Sequence, residues 1–524
     1  MRSTLACSVV ALTFLCDFSN PDLKAQSSGA TRHIARKEFV NRVRGGWAGQ
    51  MIGVSFGAPT EFQYLGKIIE GELPPWRSDY VTRSIDQDDL YVEMTFADVM
   101  DRMGLDATTA QYGEAFKNSQ YDLWHANAAA RRLLKEGIEA PRSGQRGYNP
   151  HANDIDFQIE SDFIGLMSPG LPLAARDYSL RVGSVMSSGD GLNGGLFITG
   201  MYAAAFFEAD PRRIVEAGLA MLPPSSGYAA IIRDALDWHA AHPQDWQSAW
   251  HLIEDKWNKS HSCPETRPPF NIDARLNGAY VALGLLYGDR DFNKTLEIAT
   301  RSGQDSDCNP SSALGILGVM LGYDRIPKSW RSGIPDMADR KFAHTNYSFD
   351  EIVASTIKRA ELVVHLAGGT VTAEGFDIPE QSAEPPSIEQ WNLGVPDRII
   401  PASDPAWQWS GDWKTSPISA GVDTPGMVAQ AAGATATLTF TGTAVTILGG
   451  YSRYGGRAEV WVDGEKGRPT STWIPERTQD RAHWQAFGLE PGTHVLKIVT
   501  TGGADERSAD AAVEIASALV YRIR

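Results

Sequence analysis

Ser302-Gly303-Gln304-Asp305-Ser306-Asp307-Cys308-Asn309-Pro310 is the stretch on which the reading of this chain turns. Two carboxylates stand one residue apart among Gly, Ser and Asn, and an apolar run rich in small residues, 311–322, follows at once. That run predicts a helix, so the aspartates occupy the turn that opens it. There, free backbone N–H groups and the positive end of the helix dipole favour negative charge. The alternate spacing lets both side chains converge on one cation. The plainer reading of the same residues is that one Asp or Asn caps the helix.

A surface to match that helix is written much earlier. The sequence turns helical from Lys37, and Gly45, Gly49, Gly53 and Gly57 recur every four residues, which leaves one helix face without side chains. Each Gly costs a helix about 1 kcal/mol against Ala, so close packing of backbone on backbone must offset it. Ser311, Gly315, Gly318 and Gly322 form a second small-residue stripe. If the two stripes meet, Glu61, which follows the helix-ending Gly57-Ala58-Pro59-Thr60, approaches Asp305 and Asp307.

Gln87-Asp88-Asp89-Leu90 is another carboxylate cluster at the mouth of a helix, with Tyr91, Met94, Val99 and Met100 as its apolar side and Glu93 one turn after Asp89. Neighbouring acids repel unless a cation or hydrogen-bond donors neutralise them. The alternative is a solvated acidic helix start.

Helices are predicted over 108–116, 123–136, 162–166, 194–208, 211–221, 227–241, 246–257, 271–287, 291–300 and 349–366. Asn153, Asp154 and Asp156 open a partly alternating stretch through Asp162, read either as an extended segment presenting acids to a cleft or as an acidic helix start. The Gly-rich run 187–195, with Asp190 and Asn193, is a candidate substrate loop or a plain connection. His125 beside Trp124 is a candidate ligand-facing residue or a half-buried packing one.

The chain has 524 residues, enough for two or three domains, and 42% hydrophobic content with 15 Trp supplies a core. A net charge of −16 argues against a nucleic-acid surface, which needs a basic patch, and suits cations or neutral substrates. Residues 1–26 read as a signal peptide: Met1-Arg2, an apolar segment over 5–16 too short to span a bilayer, then a polar stretch. Cys7 and Cys16 would leave with it, and Cys263 and Cys308 form no disulfide framework. No later segment reads as a membrane span, and the oligomeric state is not legible. The expected location is exported, periplasmic or extracellular.

After Gly368-Gly369, prolines punctuate a connector over 371–405. From 406 to 524 the period changes to two, with turns at Asp463-Gly464 and Pro491-Gly492, which predicts a β-sandwich of the jelly-roll kind. Most of its Trp and Tyr residues are read as packing, a few as sugar-stacking faces.

The two acid pairs that each open a helix, with a Glu after a Gly-striped helix, resemble the ADP-ribosylglycohydrolase family. The resemblance rests on 49–62, on Gln87-Asp88-Asp89, and above all on 291–322. It implies a multidomain protein: an all-α ADP-ribosylglycohydrolase-like catalytic domain over 36–370, followed by the β-sandwich, which looks like galactose-binding or carbohydrate-binding modules. It further implies a divalent metal, Mg²⁺ first and Ca²⁺ as the alternative, held by Asp88, Asp89, Asp305 and Asp307. Glu61 is the implied proton-handling carboxylate, and Asp89, Asp154 or Asp156 is the candidate for the second catalytic one, Asp89 first. Gln87, Asn153, Asp154, Asp156, Asp190, Asn193 and His125 are the candidate substrate-binding residues.

The chain departs from the family pattern where Thr residues usually flank the first Asp pair, here Gln87 and Leu90. Cys308 replaces a ligating Thr, and Val54 stands where an Asp is common. Hard cations prefer oxygen, so one full metal site and a weakened second are expected. The expected function is glycosidic-bond hydrolysis on a furanoside or related glycan. ADP-ribosyl hydrolysis is the alternative, and a noncatalytic glycan-binding protein is the second alternative.

Overall fold

Small residues decide how the central helices meet. The computed structural model describes residues 29–258, 269–390, 394–416, 425–475 and 481–523. The signal-peptide reading and Cys7, Cys16 and Cys263 therefore lie outside the described residues. Cys308 is a buried free thiol.

The N-terminal unit is helical: α1 (Arg36–Gly57), α2 (Asp88–Met103), α3 (Thr109–Lys117), α4 (His125–Lys135), α5 (Asp156–Ile159), α6 (Asp162–Leu166), α7 (Pro172–Gly183), α8 (Gly189–Ala205), α9 (Pro211–Leu219), α10 (Gly227–Ala241), α11 (Trp246–Trp257), α12 (Ala274–Gly288), α13 (Phe292–Arg301), α14 (Cys308–Leu321), α15 (Lys328–Arg331) and α16 (Phe349–Leu366). No helix among the described residues is long and apolar enough to cross a membrane.

α1 and α14 cross backbone against backbone. A Cβ added at Gly45 would lie 2.1 Å from the Gly318 carbonyl oxygen, one at Gly49 2.0 Å from that of Leu314, one at Gly53 2.3 Å from that of Pro310, and one at Gly57 2.1 Å from that of Ser306. The expected meeting of stripes is thus what the fold uses. The helix-propensity cost is offset by a contact that no side chain would allow. Around this pair, α8 and α12 are buried along nearly their whole length. α16 closes the unit through a capping box in which Ser348 accepts from Glu351 N–H and the Glu351 carboxylate accepts from Ser348 N–H.

One expectation is corrected and one pair of alternatives is decided. The Gly-rich run expected to be a loop is the first two turns of α8, which begins at Gly189 rather than at 194. A positive φ of 56° at Gly189 makes the turn, and the helix is sealed on all sides, so its glycines serve close packing. Of the two readings of the stretch from Asn153 to Asp162, the structure takes the acidic helix start: Asp156 opens the short helix α5 and Asp162 opens α6.

β1 (Thr31–Ala35), β2 (Thr370–Val371) and β3 (Gly375–Pro379) make a small antiparallel sheet in the order β1-β3-β2, which ties the ends of the helical unit together. The C-terminal β-sandwich has one large antiparallel sheet. Its path runs β10 (Glu465–Lys466), β9 (Gly456–Val462), β12 (Ala482–Ala504), β8 (Thr435–Leu448), β14 (Ser517–Arg522), β4 (Val395–Pro401). On this sheet β5 (Trp407–Ser410) pairs β8, and β11 (Thr470–Ser471) pairs β9. The smaller sheet is β13 (Val513–Ile515), β7 (Met427–Ala429), β6 (Lys414–Thr415). The segment read as a connector therefore gives a strand to each unit, β3 to the helical one and β4 to the sandwich.

Trp407, Trp473 and Trp484 are buried in or beside the sandwich core, whereas Trp409 and Trp413 are half-buried and Tyr454 is exposed. The sandwich seats on the helical unit at the C-terminal end of α4. Arg507 Nη2 donates to the Lys135 carbonyl at 3.0 Å, the Gln485 amide donates to the Arg146 carbonyl, and the Arg132 guanidinium lies 4.5 Å over the Tyr451 ring.

Candidate functional site

The stretch that opened the sequence reading forms a tight left-handed turn, with φ of 76° at Gly303 and 53° at Gln304. Gly303 is required there, because a Cβ would meet the Tyr64 carbonyl oxygen at 2.4 Å. The turn is bolted to the segment after α1 by two backbone bonds: Phe62 N donates to Gln304 O at 3.0 Å and Gln304 N to Tyr64 O at 3.1 Å. Thr60 Oγ1 and Ser306 Oγ add a hydroxyl pair at 2.8 Å. These contacts carry Glu61 to the aspartates.

Asp307 occupies the N-cap position of α14, but its side chain makes no capping hydrogen bond. The capping reading of this stretch is thereby answered in the structure. Ligand-type oxygens of Glu61, Asp305 and Asp307 lie within 4.8 Å of one another, as do those of Asp89 and Asp307 with the Cys308 sulfur. α2 delivers its pair from the other side, with Gln87 at its N-cap and again no side-chain cap. Asp88 accepts from the Asp89 N–H at 3.2 Å, and Cys308 Sγ donates to Asp89 Oδ2 at 3.2 Å.

The electrostatics follow from this geometry. Burial and then Asp307 raise the Asp88 carboxyl to about 6. Burial, then Asp88 and Asp307, hold Asp89 well above the usual carboxylate range, and burial with Asp307 does the same to Asp305. Burial also raises Asp307. Half-buried Glu61 is pushed up to about 8 by burial, Asp307 and Asp88. Asp89 Oδ1, Asp305 Oδ1 and Asp307 Oδ1 are buried and meet no hydrogen-bond partner. Buried carboxylates that repel one another and point oxygens at no donor fit a divalent cation, which supplies the missing counter-charge.

Cys308 does not extend that oxygen set. Burial and the surrounding aspartates push its thiol well up, so it remains an S–H donor to Asp89.

The other predicted residues divide. Asp156 caps α4, its two oxygens accepting from Ala126 N at 3.2 Å and Asn127 N at 3.1 Å. Burial and Asp154 raise it to about 7. Asn153 Oδ1 accepts from Asp190 N at 3.2 Å, and Asp190 in turn accepts from the Asn193 amide at 2.9 Å and from Tyr228 N at 3.3 Å, with Arg275 beside it at 3.6 Å. Asp190 and Asn193 are thus held in framework contacts, as α8 being a helix rather than a loop requires. Asp154 lies with His125 and His151, its Oδ2 being 3.0 Å from His151 Nδ1 and 3.5 Å from His125 Nδ1. The His125 ring packs 6.2 Å from Phe270, which meets Phe62 edge-on at 5.3 Å, so His125 stands across an apolar strip from Glu61.

Glu160 is absent from the predicted set. It is fully buried, accepts from the Asn127 amide, leaves Oε2 without a partner, and is raised by burial, Asp156 and the Asp88–Asp89 pair. Its signal was present in the acidic stretch after Asn153, but nothing local separates Glu160 from its neighbours.

The chain matches the family model described as ADP-ribosylglycohydrolase over residues 35–361. The chain belongs to the ADP-ribosylglycohydrolase family. That places it among hydrolases acting on glycosyl bonds, a family typically metal-dependent, and the acid cluster is where this chain can hold the metal.

No curated protein matches the chain. Among solved structures, an ADP-ribosylglycohydrolase-related protein complex is 16% identical, covers 62% of this chain and 99% of that one, and has a TM-score of 0.39. A family two carbohydrate esterase from Cellvibrio japonicus is 18% identical over 24% of this chain and 32% of that one, with a TM-score of 0.18. The CBM36-1 domain of a multidomain xylanase from the hindgut metagenome of Trinervitermes trinervoides is 16% identical over 23% of this chain and 94% of that one, also at 0.18.

Proposed function

We propose that this protein is an exported, metal-dependent glycoside hydrolase that cleaves a glycosidic bond of a furanoside or related glycan. The observation that carries the reading is the meeting of Glu61, Asp89, Asp305 and Asp307 in one cluster with three buried oxygens facing no protein donor.

Asp88, Asp89, Asp305 and Asp307 would hold the ion, and an all-oxygen set favours a hard cation, Mg²⁺ first and Ca²⁺ second. Once bound, such an ion supplies positive charge that orients sugar hydroxyls and a water. Glu61 on the open side handles the proton. Half-buried beside Asp305 and Asp307, it is placed to give a proton to the leaving oxygen or to take one from water. The remaining carboxylates favour the positive charge that develops on the sugar ring, with Asp89 as the second catalytic candidate.

Trp124, 46% exposed beside His125, offers an apolar face of the kind sugar rings stack on. The sandwich seats at the far end of α4, about 16 Å from His125 at 1.5 Å per residue, close enough to hold a polymer while the cleft works on it. Export is supported by the signal-like N-terminus.

The test is release of reducing sugar from nitrophenyl furanosides and from plant or microbial glycans, with and without EDTA. Turnover that is lost on chelation and in Asp305→Asn supports the reading. Turnover that thorough chelation leaves unchanged sinks the metal role, and binding of glycan with no turnover on any substrate supports the noncatalytic alternative. The family match itself favours one further reading, hydrolysis of an ADP-ribosyl bond, and an ADP-ribosylated substrate belongs in the same screen.

A further inference from the structure

We propose that His125, His151 and Asp154 form a second cation site, built for a borderline metal of the Zn²⁺ class rather than for Mg²⁺. The three ligand-type atoms lie within 4.8 Å of one another, with Asp154 Oδ2 3.0 Å from His151 Nδ1 and 3.5 Å from His125 Nδ1. Ligands bonded at 2.0–2.1 Å to a tetrahedral ion stand about 3.3 Å apart, so these atoms need little movement to share one.

A second observation points the same way. Asp154 is fully buried, and its other oxygen, Oδ1, meets no hydrogen-bond partner. A buried carboxylate oxygen left without a donor is costly unless a cation neutralises the group.

The frame around the three residues is rigid. His125 sits at φ 44°, a left-handed conformation that a histidine adopts only when its surroundings impose it. Asp156 imposes it by accepting from the next two N–H groups, and Asn149 Nδ2 grips the Ala126 carbonyl at 2.9 Å. Asn149 Oδ1 also accepts from His151 N at 2.9 Å, and Asp154 N donates to His151 O at 2.8 Å. One short loop is therefore folded around the position the metal would take.

Imidazole nitrogens select Zn²⁺, Co²⁺ or Ni²⁺ over Mg²⁺, so the two sites would sort their metals by ligand chemistry. His151 and Asp154 are sealed, whereas the His125 side chain is 24% exposed. The His125 ring is the edge of the cluster that packs toward Phe270 and the strip leading to Glu61.

The test uses the full chain, saturated with MgCl₂ and titrated with CoCl₂ by visible absorption and calorimetry. One equivalent of Co²⁺ with the strong absorption of a four- or five-coordinate nitrogen–oxygen site is expected. Affinity should fall at least tenfold in His151→Ala and in His125→Gln and stay unchanged in Asp307→Asn. His125→Gln keeps the experiment decisive if the buried His151→Ala fails to fold, as far-ultraviolet circular dichroism will show. No Co²⁺ binding, binding unchanged in His125→Gln, or binding lost only in Asp307→Asn each overturns the proposal and leaves a hydrogen-bonded His–Asp–His network. The readout is metal binding, so it stands apart from whether a glycan is the substrate.

Discussion

Gly57→Ala is the sharpest test of how this fold holds its acids together. The added Cβ would lie 2.1 Å from the Ser306 carbonyl oxygen, 2.4 Å from Asp307 Cα and 2.8 Å from Asp307 N, all of them backbone atoms. No rotamer relieves such a contact, so the aspartate turn must retreat by about 1 Å to reach ordinary separation. Overpacking of this kind costs about 1–3 kcal/mol, and Ala returns up to about 1 kcal/mol of helix propensity. The net loss is up to about 2 kcal/mol, or up to about 3 °C in Tm for a helical unit of about 330 residues.

The retreat also carries Asp305 and Asp307 away from Glu61 and Asp89. Affinity for Mg²⁺ or Ca²⁺, measured by calorimetry or chelator competition, should therefore drop about tenfold or more, a loss of about 1.4 kcal/mol. Gly147→Ala is the control, because a Cβ there meets nothing within 4 Å. A Gly57→Ala protein that matches the control in both Tm and metal affinity would refute the claim that the glycine stripe sets the site.

Asp307→Asn should reduce turnover at least 100-fold while leaving the metal-free Tm in EDTA equal to or above that of the parent, since it removes a charge that acts on Glu61, Asp88, Asp89 and Asp305; a large fall in Tm would count against repulsion in the cluster. Folded, metal-free protein keeps protons on Asp88 to about 6 and on Glu61 to about 8, above the ordinary 3.8 and 4.5. The folded state then binds more protons than the unfolded one, so stability is full below about pH 4 and declines as pH rises through both values. Melting in EDTA from pH 4 to 9 checks this, and a saturating divalent cation should flatten the decline. Cys308→Thr replaces an S–H donor with a hydroxyl oxygen, so calorimetric Mg²⁺ stoichiometry should rise from one toward two; an unchanged stoichiometry would show that the sulfur is not what weakens the second position. A chain ending between Pro379 and Val395, where the last strand of one unit gives way to the first of the other, should keep turnover of small substrates and bind polymer more weakly, as a pull-down on insoluble glycan will report.

The sequence by itself determined the parts whose physics is local. The four-residue glycine period, the turns that open α2 and α14, the capping residues of α16 and the change to a period of two each follow from a few neighbouring side chains. The meeting of Glu61 with Asp305 and Asp307 was legible too, because two small-residue stripes have little else to pack against.

What only the tertiary structure decided is the use to which each buried acid is put. Asp156 finds the N–H groups of α4, Asp190 finds Tyr228 and Arg275, and Glu160 finds the Asn127 amide. His151, silent in the sequence, meets Asp154 and His125. A carboxylate in a polar stretch looks the same whether it will cap a helix, pair with an arginine or face a cation. The choice rests on which donors other segments bring within about 3 Å, and that is settled only when the chain has packed.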